Sequence, residues 1–212
     1  MLPIFILLAA YFLYAFSRRK KLEKQVELFN KLLYVEKSPQ KYIAEIDKLL
    51  LKFQSANEKN INYIQKTTGL LYAGRFDEAI SILNEKVKKI PPNWQVVYYH
   101  NLLLSMYFSG DTEKANEILN EAKSTIDSYY KKDYNKVTIE LIYAVSDYYN
   151  NRISECREFF NLLPDVTKNE YRIAMGYYFS GKILEFDGKT EDSEELIEKA
   201  KSYGFGSFIE YL

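Results

Sequence analysis

Cysteine and histidine are almost missing from this chain: among 212 residues there is one of each, Cys156 and His100. A single thiol excludes an internal disulfide and suits a reducing compartment, although exported proteins also occur without disulfides. One imidazole and one thiol cannot form a zinc site without carboxylates, and neither H-E-x-x-H nor C-x-x-C occurs. A nucleophile–histidine pair would have to use His100. Cys156 falls at a packing position of an amphipathic helix, so it reads as a small buried thiol. The expectation is a binding protein without catalytic residues, metal or cofactor.

Breakers are scarce as well, with 8 Gly and 5 Pro. Abundant Leu, Lys, Glu and Ile with so few breakers favour helix, so the predicted class is all-α. The Gly-Phe-Gly at 204–206 follows no strand and opens no helix with a third Gly, which excludes a dinucleotide loop. Charge of either sign is not in excess, at 29 bases and 29 acids. Four of the bases are Arg18, Arg19, Lys20 and Lys21, so residues 22–212 carry 25 bases against 29 acids. No basic stripe follows residue 21, which argues against nucleic acid. Paired acids such as Asp77-Glu78 and Glu194-Glu195 read as solvated residues of helix starts rather than as general acids and bases.

What the chain does have is 47% apolar residues and 20 Tyr. That is enough for a sizeable core with large rigid spacers or binding anchors. Residues 1–17, MLPIFILLAAYFLYAFS, contain no charged side chain. As a helix they span roughly 25 Å, a little short of a hydrocarbon core. Tyr11 and Tyr14 fall where interfacial rings are favoured. A buried core helix and a cleaved leader are the alternatives. A leader normally has bases before its apolar run and small residues at the cut, and here the bases follow the run. Residues 1–17 are therefore read as a transmembrane anchor, 18–203 as the folded array and 204–212 as an apolar tail. Bases flanking a span stay cytoplasmic, so the bulk of the chain is expected in the cytoplasm.

One phrase is written several times. YAGRFDEAISIL at 72–83, FSGDTEKANEIL at 108–119 and FDGKTEDSEELI at 186–197 share an aromatic, a Gly two residues on, a small residue five later and an apolar pair. YNNRISECREFF at 149–160 is a further copy, with Asn151 for Gly and Cys156 as the small residue. Asn tolerates a left-handed backbone turn better than other side chains do. The steps from Gly74 through Gly110 and Asn151 to Gly188 are 36, 41 and 37 residues. Before each turn lies an apolar helical stretch, and after it an amphipathic one in which, for example, Ala115, Ile118, Leu119 and Ala122 share a face. Each copy is an antiparallel helix pair, and such pairs must stack to bury their apolar stripes. Ser38-Pro39 is a good helix start and marks a fifth, degenerate copy beginning near residue 20.

The pattern resembles the tetratricopeptide repeat. It is carried by Gly74/Ala79/Leu83, by Gly110/Ala115/Leu119 with Ala122, and by Gly188/Ser193/Ile197 with Ala200, supported by Gly181 and Pro91. The resemblance covers roughly residues 59–201. It departs in its longer period, in Tyr63, Tyr99 and Tyr177 where Trp is typical, and in Glu140 and Asp147 at apolar positions. It implies a solenoid of four to five helix pairs whose first helices line a concave groove. By that resemblance the groove carries Ile61, Ile64, Gln65, Thr68 and Tyr72; then Val97, His100, Asn101, Leu104, Tyr107 and Phe108. It continues with Leu141, Ile142, Val145, Tyr148 and Tyr149, and ends with Tyr178, Phe179, Lys182 and Phe186. Of the family's carboxylate clamp only Asn101 is in place, with Ile64, Thr68, Thr138 and Ile142 at the other positions. The expected partner is thus an apolar or aromatic protein or peptide segment. Tight winding of a short array would bury much of this face as core.

These readings make the chain a membrane-anchored scaffold or adaptor. An exported factor in envelope protein assembly or quality control and a peptide-sensing regulator are the alternatives. Neutralising Arg18, Arg19, Lys20 and Lys21 together is expected to scramble topology, since they are the strong charge bias beside the span. External protease on intact cells checks it. Digestion of residues 22–212 in the unaltered protein would contradict the cytoplasmic assignment.

Overall fold

The computed structural model describes the backbone of residues 2–52 and 54–212, and the side chains of residue 12 and of residues 15–212 except 53. Among the described residues there are ten α-helices and no strand. They are α1 Leu2–Asn30, α2 Pro39–Leu50, α3 Ala56–Tyr72, α4 Phe76–Glu85, α5 Gln95–Ser109, α6 Thr112–Ser128, α7 Asp133–Tyr149, α8 Ile153–Val166, α9 Glu170–Phe186 and α10 Thr190–Tyr203. A π-helical turn, Lys31–Val35, continues α1, and 3-10 turns occupy Pro92–Trp94 and Phe208–Tyr211. The helices pack in sequential pairs, α3 on α4, α5 on α6, α7 on α8 and α9 on α10. Helices α3, α5 and α7 also lie side by side, and α2 packs on α3. The architecture is an all-α arrangement of helical hairpins.

Each hairpin turn is built the same way. Gly74, Gly110, Asn151 and Gly188 have φ of 72°, 89°, 59° and 77°, the left-handed region where a Cβ is penalised. At each, the turn residue donates to a carbonyl three back, and the next residue donates to one five back. These are Gly74 to Leu71 with Arg75 to Leu70, Gly110 to Tyr107 with Asp111 to Met106, Asn151 to Tyr148 with Arg152 to Asp147, and Gly188 to Glu185 with Lys189 to Leu184. The last carbonyls of the first helix, which have no partner inside it, are satisfied in this way. Acids then sit in the first turn of the second helix: Asp77 and Glu78, Glu113, Glu155, and Glu191 with Asp192. There they favour the positive end of its dipole.

Five residues after each turn the two helices come closest. Ala79, Ala115 and Cys156 are fully buried and Ser193 nearly so. In the last pair both helices are small at the contact: a Cβ on Gly181 would lie 2.9 Å from Ile197 Cδ1 and 3.2 Å from the Ser193 carbonyl oxygen. The last three copies are joined by polar contacts. Asn116 and Asn150 exchange amide hydrogen bonds of 2.7 and 2.9 Å, and Arg157 grips Asp187 through both oxygens at 2.7 and 3.0 Å.

The chain before the first strong copy departs from the pattern. No left-handed glycine joins α1 to α2; the π turn does, with Leu32 and Leu33 both buried and Lys37 at φ 48°. Ser38 precedes Pro39 as predicted but makes no side-chain cap. The full capping box lies one helix later, where Ser55 and Glu58 satisfy each other's backbone at the start of α3. Among the described residues no helix is long and apolar enough to cross a membrane. The anchor read over residues 1–17 falls mostly on residues whose side chains lie outside the description.

The array bends back on itself. Tyr171 at the start of α9 packs against Tyr72 at the end of α3, with ring centroids 4.4 Å apart, and against Tyr34 of the π turn at 6.3 Å. Lys37 pairs with Glu170 at the same seam. The tail completes the closure. Gly204 and Gly206 turn the chain, Ile209 is buried against the end of α10, and Phe208 crosses to Phe76 and Phe108 at 5.1 and 5.0 Å. A full burial such as that of Ile209 stabilises by roughly 1.5–3 kcal/mol, less what the unfolded chain already buries. Of the other apolar tail residues, Phe205, Tyr211 and Leu212 remain exposed, so the cover is partial.

Urea unfolding of the full chain in detergent is expected to rank three variants. Ala115→Asp should cost several kcal/mol, since it forces a charge into a closed helix contact. Gly110→Ala should cost about 1 kcal/mol from left-handed strain alone, because a Cβ there meets nothing within 4 Å. Gly74→Ala should fall between, because its Cβ would also lie 2.9 Å from Phe208 Cβ. Equal losses for the two glycine variants would contradict the tail contact.

Candidate functional site

The closed curvature leaves a cavity of about 230 Å³ on the inner side of the array. Helix α3 contributes Gln65, Thr68 and Tyr72; α5 contributes Val96, Val97, His100 and Asn101; α7 contributes Asn135 and Thr138; α9 contributes Arg172. The remaining wall is the chain's own beginning: Val26, Phe29 and Asn30 of α1 with Leu33 and Tyr34 of the π turn. Tyr42 and Trp94 complete the lining. A second cavity, of about 260 Å³, lies at the seam and is lined by Tyr34, Lys37, Lys168, Asn169, Glu170 and Tyr171.

A polar hub sits in the first cavity. The Asn101 amide nitrogen lies 3.2 Å from the Ile64 carbonyl, 3.1 Å from Thr67 Oγ1 and 2.9 Å from Thr68 Oγ1. Those contacts engage the donor end of the amide and leave its oxygen toward His100 Nδ1, at 3.0 Å. An amide oxygen only accepts, so Nδ1 carries the proton and donates. The other ring nitrogen, Nε2, then carries the lone pair, and it is buried without a partner. Burial pulls the His100 pKa down to about 4; the Arg172 charge adds to the fall and the Asn101 hydrogen bond opposes it. At neutral pH this imidazole is an uncharged acceptor.

Arg172 is the one formal charge in the lining. Its Nη2 donates to Thr138 Oγ1 at 2.6 Å, while Nε is buried without a partner. Among the described residues no carboxylate lies within ion-pair reach of it. Gln65 Oε1 is a third buried atom without a partner. Buried polar atoms are ordinarily paired, so three of them around one cavity mark a place built to meet polar groups.

The positions predicted for a groove divide into three sets. Ile64, Tyr72, His100, Asn101, Leu104 and Tyr107 are buried. Of these, Tyr72, His100 and Asn101 reach the cavity, while Ile64, Leu104 and Tyr107 pack between helices. Phe108, Tyr148, Tyr149 and Tyr178 are half-buried, gathered around Phe179 at centroid distances of 6.1, 4.8, 6.5 and 5.2 Å. Phe186 stands 74% exposed at the end of α9. Sequence reasoning missed Arg172 and the wall supplied by α1 and the π turn. A lone cation within the apolar stretch YRIAMGYYF was the available signal for Arg172. Cys156 is fully buried, and burial pushes its thiol up to about 11, so it stays protonated at neutral pH.

No protein-family model matches this chain, and no curated protein or solved structure is significantly similar to it. The class that fold and site define is an all-α helical-hairpin array around an inner cavity of mixed polar and apolar lining.

His100 makes stability depend on pH in a calculable direction. Its folded pKa, about 4, lies below the unfolded value of 6.5. Above 6.5 both states are neutral and nothing changes. Between 6.5 and 4 only the unfolded chain takes up the proton, so stability falls with falling pH, by about 3 kcal/mol at most. Denaturation midpoints recorded from pH 7.5 to 4 are expected to drop in the native protein and to flatten in His100→Gln. A parallel slope in the variant would refute the assignment.

Proposed function

We propose that this chain is a tetratricopeptide-like adaptor, anchored in a membrane by residues 1–17, that holds a protein partner on the cytoplasmic side. The observation that carries the binding reading is the aromatic strip on the outer end of α9. Phe186 is 74% exposed, and Tyr178 lies two turns earlier on the same helical face, half-buried beside Tyr148 and Tyr149. A large exposed ring next to a firmly packed aromatic cluster is the composition of an interface centre. Lys182, between the two, is held by Glu185, which leaves the strip without a free charge at its middle. The partner that fits is an apolar or aromatic segment, such as one face of an amphipathic helix.

The anchor reading draws support from continuity. Helix α1 runs 29 residues without a break from Leu2 to Asn30, so the apolar segment leads directly into the buried Leu32 and Leu33. Arg18, just beyond that segment, pairs with Glu58 of α3 at 3.0 Å. A partner held on α9 would sit at a set height above the bilayer.

Photocrosslinking in intact membranes tests the reading, with the crosslinker placed at position 186 or, as a control, at exposed position 117 on α6. A discrete protein adduct at 186 alone, lost when Tyr178→Glu is added, is expected. The absence of any protein adduct at 186, or equal adducts at both positions, would sink the adaptor role.

A further inference from the structure

We infer that the inner cavity is a binding site for a small α-amino or α-hydroxy carboxylate, held between the Arg172 guanidinium and the His100 Nε2 acceptor. The inference stands apart from the adaptor reading: the cavity lies inside the array and the aromatic strip outside it.

Charge comes first. Arg172 lines the cavity as its single charge, with one N–H of Nη2 given to Thr138 and with Nε buried and unpartnered. Burying part of a guanidinium without a partner is costly, and natural structures retain one where an anion meets it. The Nε and Nη2 edge of a guanidinium is a planar fork matched to the two oxygens of a carboxylate. A phosphate dianion would bring two charges to one cation, whereas a carboxylate brings one. His100 supplies no second positive charge, because its proton sits on Nδ1 facing Asn101 and the ring is neutral.

The acceptors come second. His100 is 5% exposed, and its Nε2 lone pair has no partner. Gln65 Oε1 is in the same condition on the neighbouring helix. Two buried acceptors and one cation around the same space call for a molecule that carries both an anion and a hydrogen-bond donor. An α-amino or α-hydroxy acid places them two bonds apart. A simple fatty or aromatic acid lacks the donor, and an inorganic anion lacks the body to meet Tyr72, Trp94 and Val97.

Size comes third. At about 230 Å³ the cavity is smaller than the ~300–1,000 Å³ typical of drug-sized ligand sites, so it suits a molecule of about a dozen heavy atoms. Phe29, Leu33 and Tyr34 line it on the side of α1, so the space available suits a small molecule better than a peptide chain.

The test is calorimetric titration of the full chain in detergent with three matched sets of probes. These are L-leucine and L-phenylalanine with their α-hydroxy counterparts, the carboxamides of all four, and the acids lacking the α substituent (the des-amino acids). At least one amino or hydroxy acid is expected to bind saturably with Kd below about 1 mM. Its amide, which keeps the donor and loses the anion, should bind at least tenfold more weakly. So should its des-amino acid, which keeps the anion and loses the donor. Arg172→Gln should abolish binding and Arg172→Lys should retain part of it. The amide and des-amino comparisons use the unaltered protein, so they stand even if an Arg172 variant fails to fold. The assignment is overturned if none of the amino or hydroxy acids binds with Kd below about 1 mM, if amide and acid bind alike, if Arg172→Gln binds as the native protein does, or if the des-amino acid matches the amino or hydroxy acid. Equal binding of inorganic phosphate would also overturn it.

Discussion

Four residues in the left-handed region of backbone space carry this architecture. Gly74, Gly110, Asn151 and Gly188 each let a helix end with its last carbonyls satisfied and the next helix start at a sharp angle. Everything downstream uses that angle. The small residue five positions later is small because the turn brings two backbones together there. The stacking of successive hairpins is regular because the turns are alike. A residue with a bulky branched side chain at any of the four would strain the backbone there.

Regular stacking alone would yield an open arc. The chain converts it to a closed one by four aromatic contacts far apart in sequence: Tyr171 on Tyr72, Tyr171 on Tyr34, and Phe208 on both Phe76 and Phe108. Oriented ring pairs of this kind contribute about 0.5–1.5 kcal/mol each beyond the area they bury. Closure moves the first part of the expected concave face to the interior, while Tyr148, Tyr149 and Tyr178 stay half-buried and Phe186 exposed. Ile64, Leu104 and Tyr107 serve the core, and His100, Asn101 and Tyr72 meet the cavity.

The polar hub at the centre is the second consequence of closure. Asn101 ties α5 to α3 through a backbone carbonyl and two hydroxyls, and in doing so orients the His100 ring. Arg172 reaches the same space from α9, more than seventy positions along the chain, and is steadied by Thr138 of α7. Helices α3, α5, α7 and α9 thus all place polar side chains around a single volume. The one thiol lies apart from it, held protonated in the hairpin of α7 and α8. An outward aromatic strip and an inward polar cavity give the array two surfaces of different chemistry.

Local chemistry made the helical class, the four turns and the close-packed small residues legible in the sequence. A glycine or asparagine in a left-handed turn, a small residue five later and an acid at the helix start act over a few residues each, so they leave a readable phrase at 72–83, 108–119, 149–160 and 186–197. The π turn at Lys31–Val35, the capping box at Ser55 and the absence of a side-chain cap at Ser38 were not, because the packing of α2 on α3 decides among competing local options. Least legible was the meeting of Arg172 with His100 and of α1 with the inner face. That meeting depends on the small rotation added by each hairpin, summed over the whole array. No single repeat encodes the sum, so only the tertiary structure decided whether the inner face was a groove or a cavity.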